Sequence, residues 1–352
     1  MKFDYNKVFI TGGNGWLGKT LINTLINGDK LVIENLKVEN IKIISLDLIP
    51  VVFEKSFNNN KVEYIKGDIR SKNDCDLFFK NINSKSVLFH CAGIIHPKKV
   101  SDFFEINYDG TRNLIEKAIS KGINKIVVIS SNSPIGCNKS NDYLFDEKSK
   151  YNPYMNYGKS KMLMEQFLMS KIKEGIDITI IRPPWFYGEN MPSRQLTFYK
   201  MVKEGKFPMI GNGRNIRSKA NVKNIVQGMI LSSIVEKSKG EIYWIADEKP
   251  YTMKEIIYTV SEVLEREFGI VCKENHFKFP FLTGQLFQLL DFLLQKIDVY
   301  NQKIHVASEL NKNIGCSIQK AKDELGYNPK VSLYDGIKFS LSEIDVKTIL
   351  NE

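Results

Sequence analysis

The chain has 352 residues, 43% of them hydrophobic and 26% charged, and a formal net charge of +10. That length allows one large or two ordinary domains with ample core, and the composition excludes disordered and fibrous classes. The lysines are scattered with no compact basic block, which argues for solvated surface and an anionic small substrate rather than nucleic acid.

Five cysteines, at 75, 91, 137, 272 and 316, are odd in number and form no CxxC. The expectation is free thiols in a reducing compartment, with no disulfide framework. Histidines at 90, 96, 276 and 305 lack metal-ligand spacing, so no metal site is expected. No signal-peptide pattern precedes the first apolar run, which favours a cytoplasmic protein.

In chain order, apolar β runs at 8–10, 41–46, 62–65, 87–91, 126–130 and 176–181 alternate with helical stretches at 18–27, 72–81, 102–121 and 157–174. Such alternation implies parallel strands joined by right-handed crossovers, hence a doubly wound Rossmann-type α/β sheet. Residues 27–40 read as an extra loop or helix extension. After Arg182-Pro183-Pro184 proline and aromatic residues become frequent. This predicts a nucleotide-binding domain over 1–182 and a smaller mixed α/β lobe over 183–352, with 221–247 as a segment that could return to the sheet. Residues 279–299 are strongly apolar but interrupted by Gln285, Gln288, Asp291, Gln295 and Lys296. They predict an amphipathic helix packed on the lobe rather than a stable membrane insertion.

The densest chemistry lies at the start. The run 7–10 leads into Thr11-Gly12-Gly13-Asn14-Gly15-Trp16-Leu17-Gly18 and then a helical pattern. Gly12 suits the tight turn, Gly15 the backbone approach to a pyrophosphate, and Gly18 close helix–strand packing, with phosphates at the helix N-terminus. Asp47 ends the second run, where a carboxylate accepts from both ribose hydroxyls and repels a 2′-phosphate, favouring NAD. Asp68 could accept from an adenine amino group or could cap the next helix.

Tyr157 and Lys161 lie four apart at the start of a helical stretch, hence on one face. A phenol of pKa about 10 needs a neighbouring ammonium and a positive nicotinamide to serve as base at neutral pH. Ser131, at the end of the fifth run, can orient a substrate oxygen, and Ser133 is the rival position.

These motifs together resemble the extended short-chain dehydrogenases/reductases, of the NAD-dependent epimerase/dehydratase and 3β-hydroxysteroid dehydrogenase type. The resemblance rests on the glycine motif at 11–18, Asp47, Gly67-Asp68, His90-Cys91-Ala92-Gly93, Asn107 to Asn113, Ser130-Ser131 and Tyr157-x-x-x-Lys161. Arg182 to Gly188 and Ala321 to Pro329 extend it along nearly the whole chain. It implies a seven-stranded sheet and a C-terminal substrate lobe. It also implies cofactor contacts from Trp16, Leu17, Ile69, Ala92, Gly93 and Pro183, and Asn107 supporting the central helix and a relay water. Lys161 would hold the nicotinamide ribose. Ser133 and Trp185 would face substrate, Arg217 would bind the diphosphate of a nucleotide sugar, and helices 102–121 and 157–174 would pair in a homodimer.

Ser131-Asn132-Ser133 stands where sugar 4,6-dehydratases carry Thr-Asp-Glu, which disfavours water elimination. The expected function is therefore an NAD-dependent epimerase or oxidoreductase acting on a nucleotide sugar. A sterol-type dehydrogenase would need a greasy pocket built by residues 279–294. A non-catalytic NAD-binding regulator is the third reading.

Overall fold

Apolar runs bounded by glycine or polar turns become the central strands of the computed structural model, which describes residues 1–49, 61–273 and 277–346. Strands β1 (Lys7–Thr11), β2 (Lys42–Asp47), β3 (Val62–Lys66), β4 (Ser86–His90), β5 (Lys125–Ile129), β6 (Ile178–Arg182) and β7 (Ile242–Trp244) form one sheet. All pairings are parallel and the order is β7-β6-β5-β4-β1-β2-β3. The winding reverses between β1 and β4, and the crevice at their carboxyl ends is where such sheets bind ligands.

Both sheet faces are covered, as parallel strands require. Val8 and Ile10 of β1 pack beneath α1 (Trp16–Asn27), while the intervening Phe9 points the other way, onto Phe78 and Phe79 at the end of α2 (Lys72–Phe78). This alternation is the strand period of two expressed as two separate cores. α3 (Thr111–Ser120) and α4 (Met155–Lys173) complete the second face. The predicted helix over 102–121 begins as a π-wound segment, Phe103–Gly110, before becoming α3.

Residues 27–40 form neither a plain loop nor a longer helix. Gly28, at φ +73°, ends α1, and Lys37–Val38 pairs in parallel with Lys2–Phe3. Past residue 183 the chain re-enters the sheet layer. α5 (Val222–Ile234) is buried along nearly its whole length against α1, and β7 pairs with β6.

The lobe core gathers Val202, Val260, Leu264 and Leu341 around α6 (Met253–Phe268), whose start carries a reciprocal Thr252–Glu255 capping box. α7 (Phe281–Lys296) and α8 (Gln302–Glu309) pack side by side. The amphipathic helix expected at 279–299 forms, but with its faces reversed. Gly284, Asp291 and Gln295 are buried, while Leu282, Leu286, Leu289 and Leu293 are exposed. The inward polar groups find partners: Asp291 binds His305 at 2.7 Å, and Gln295 binds Asn156 and Asp291 at 2.9 Å each. Those bonds offset desolvation that unpaired groups could not survive.

Candidate active site

The glycine turn is built by close backbone contact. Gly12 has φ +73°, and a Cβ there would stand 2.9 Å from the Ala92 amide nitrogen. A Cβ on Gly18 would lie 2.2 Å from the Gly12 carbonyl oxygen, so only glycine lets α1 start this near the turn. Gly15 is the residue preceding α1 and donates its amide to the Gly12 carbonyl at 3.0 Å. Asp47 reaches back to this turn, accepting from the Asn14 amide at 2.9 Å and the Ser45 hydroxyl at 3.2 Å. Burial raises its pKa, and these donors oppose the rise.

Not every predicted cofactor residue faces this turn in the same way. Asp68 is held by its own neighbour, Arg70, at 2.7 Å, which keeps its pKa low against the effect of burial. Ser71, not Asp68, caps α2. Ile69 packs where a Cβ on Gly110 would intrude at 2.9 Å. Leu17 belongs to the core, and the Trp16 indole donates to the Glu189 carbonyl at 2.5 Å, tying the turn to the lobe. Pro183 is buried directly after β6.

The residues that the sequence offers for proton handling converge at the ends of β4 and β5. The Ser131 hydroxyl lies 3.3 Å from that of Ser133, and Ser131 acts on the Tyr157 phenol to lower its pKa. Burial pushes the Tyr157 phenol up to about 12, and the nearby Glu309 carboxylate pushes the same way, against the Ser131 hydrogen bond. Sequence reasoning expected Lys161 to lower this phenol. The lysine ammonium instead donates to the Ile129 carbonyl at 3.0 Å, and burial brings it down to about 8. Asn107, in the π-wound segment, accepts from the Ile94 amide at 2.8 Å and donates to the Ser160 hydroxyl at 3.3 Å. It thereby locks the 92–94 loop to α4. A Cβ on Gly93 would stand 3.1 Å from the Asn107 amide oxygen and 3.5 Å from the Lys161 nitrogen.

α4 itself is pinned by a buried ion pair. Glu165, one turn beyond Lys161, holds Arg182 of β6 at 2.6 Å and accepts from Ser130 at 2.5 Å. Its N-terminal end is held from the lobe, where Asn156 donates its amide and side chain to Gln295 of α7 at 3.1 and 2.9 Å. Met155 just before it has φ +51°, a conformation a non-glycine residue keeps only under external constraint.

On the lobe side, Arg217 is buried, donates to the Glu309 carbonyl at 3.1 Å, and sits 5.7 Å from the Trp185 ring centre. Lys219 lies 3.4 Å above the same ring, and burial holds its pKa well below the ordinary lysine value. Sequence reading missed Lys219, although its two-residue spacing from Arg217 was a same-face signal. It also missed Glu309, His305 and Gln295, which reach the site only through tertiary contact.

The glycine turn at a helix N-terminus, the Asp47 carboxylate and the buried Lys161 fit a dinucleotide. Residues 9–278 match the 3-beta hydroxysteroid dehydrogenase/isomerase family. The chain belongs to that family. It is an NAD-dependent enzyme of the extended short-chain dehydrogenase/reductase type. Within this breadth, uncharacterized protein y4nL of Sinorhizobium fredii is 44% identical over 340 residues, 95% of this chain and 94% of that one. An N-acetyl-alpha-D-glucosaminyl-diphospho-ditrans,octacis-undecaprenol 4-epimerase of Escherichia coli O157:H7 is 27% identical over 297 residues, covering 83% and 82%. The fold is shared with DesIV, a dTDP-glucose 4,6-dehydratase of Streptomyces venezuelae solved with NAD bound. The TM-score is 0.71 at 21% identity, covering 96% of both chains.

Proposed function

We propose that the protein is an NAD-dependent epimerase or oxidoreductase acting on a secondary hydroxyl of a glycosyl diphosphate, a nucleotide sugar being the expected form. Gly12, Gly15, Gly18, Asp47, Ala92, Gly93 and Lys161 would hold the dinucleotide. Bound oxidised NAD supplies a hydride acceptor and a positive charge that favours the phenolate. The Tyr157 phenolate oxygen removes the substrate hydroxyl proton. Ser131 donates a hydrogen bond to the substrate oxygen and orients it. The buried Lys161 ammonium, held on the Ile129 carbonyl, would reach the nicotinamide ribose, leaving the positive charge of the cofactor to favour the phenolate. Homodimer pairing through α3 and α4 belongs to the same reading.

The observation that carries the sugar diphosphate is the buried Arg217 guanidinium with Lys219 beside it, both against Trp185. A guanidinium suits diphosphate oxygens through its fork of donors, and a buried cation gains most from an anionic ligand. The sterol reading needs an apolar pocket from residues 279–294, but the inward groups of α7 include Asp291 and Gln295. The test is incubation with NAD and a panel of UDP- and dTDP-sugars alongside a 3β-hydroxysteroid. An isomerised sugar or NADH formed with a sugar supports the proposal. Turnover of the steroid alone refutes it.

A further inference from the structure

The site uses the inward side of α7 and leaves its outward side without a role. Leu282, Leu286, Leu289 and Leu293 recur at intervals of four, three and four, which places them on one helix face. Their exposures are 70%, 66%, 55% and 51%, and Ile297, at 69%, continues the stripe past the helix end. The orientation is locked. Turning the leucines inward would pull Asp291 off His305 and Gln295 off Asn156.

The exposed charges around this stripe are mostly positive, with Asp298 the one exposed carboxylate between 277 and 303 among the described residues. From 277 to 303 the charged residues are Lys278, Asp291, Lys296, Asp298 and Lys303. Asp291 is fully buried, and Asp298 accepts from the Ser101 amide and hydroxyl at 2.7 and 3.1 Å. The three lysines are exposed, as are Lys98 and Lys99, the latter bridged to Val299. No helix among the described residues is long and apolar enough to cross a membrane.

We propose that the outward face of α7 docks on an anionic lipid bilayer, the helix lying in the plane of the headgroups. Leucines would enter the acyl boundary while the lysine rim meets anionic headgroups, the two attractions that hold in-plane helices to membranes. A second copy of the chain fits less well. A two-fold contact through this patch would set each lysine rim against its own copy. Docking would bring the bilayer surface to the same helix that holds the start of α4, through Gln295. The inference stands apart from the sugar-diphosphate reading, since it concerns the opposite side of α7.

The test is flotation of the full chain with vesicles of phosphatidylcholine alone and with about one third phosphatidylglycerol, at low and high salt. The expected result is binding to the anionic vesicles only, weakened by salt and by about fivefold for each lysine removed at Lys278 and Lys296. The triple variant Leu286→Gln, Leu289→Gln, Leu293→Gln is expected to lose at least tenfold in binding while keeping its melting temperature and its turnover of soluble substrate. Failure of the wild-type chain to float with anionic vesicles overturns the proposal. So does unchanged binding by the triple variant, or light scattering that shows a dimer which this variant dissociates.

Discussion

The cofactor half and the substrate lobe are built by opposite kinds of contact. Around β1 and α1 the contacts that matter are local or follow from strand order, as when Gly18 packs on the Gly12 carbonyl and Asp47 meets the Asn14 amide. In the lobe they join residues far apart in sequence. Arg217 meets Glu309, Asn156 meets Gln295, and Trp16 meets Glu189. Under the proposed function, chemistry would sit in one half and selectivity in the other, so that substrate could change without disturbing hydride transfer.

The sharpest way to break this division is at the proton-transfer set. Tyr157→Phe is expected to lower kcat by about 10²–10⁴-fold, the usual worth of a positioned acid–base group, with the melting temperature nearly unchanged. Full turnover by this variant would remove Tyr157 from the reaction.

Glu165→Ala strands the buried Arg182 guanidinium and is expected to cost about 3–5 kcal/mol of stability, read from a denaturant midpoint. Retained stability would mean that the pair does not hold α4 to the sheet.

Arg217→Ala tests the lobe alone. KM for the sugar diphosphate is expected to rise about tenfold or more, with NAD affinity unchanged, as expected for loss of a charge-assisted contact of about 1.5–3 kcal/mol. An equal loss in NAD affinity would erase the boundary between the two halves.

The smallest effect is the pH response of Lys161. Burial brings it to about 8, so the ammonium is present below that pH and is lost as pH rises through it. Turnover is expected to decline on the alkaline side, and Lys161→Arg is expected to flatten that limb whatever its absolute rate. For stability the sign is opposite. The folded value lies below the ordinary 10.5, so the contribution from the neutral amine is complete above 10.5 and lost as pH falls through 8. An alkaline limb identical in both proteins would show that another group titrates there.

The sequence analysis located the strands of the sheet well because each is an apolar run closed by glycine or a polar turn, and parallel strands covered on both faces need little else. It gave 221–247 only as a segment that could return to the sheet, which it does, and did not read α5 as a helix, because Val222–Ser233 is buried all round and shows no one-sided period. It placed Tyr157, Lys161 and Ser131 from spacing, but the direction of the Tyr157 shift required knowing how deeply the phenol is buried and that Glu309 faces it. Asp68 read equally as a helix cap, and the structure gives the cap to Ser71.

By itself, then, the sequence determined the doubly wound sheet, the glycine turn and the order of the candidate catalytic residues, since each depends on periodicity or fixed short spacing. Tertiary structure alone decided which way α7 faces. Composition gives that helix enough leucine for a core, yet Asp291 and Gln295 found buried partners in His305 and Asn156, and satisfied polar groups turned the apolar side outward. Partners so far away in sequence leave no periodic trace, which is why the cofactor could be read from residues and the substrate side could not.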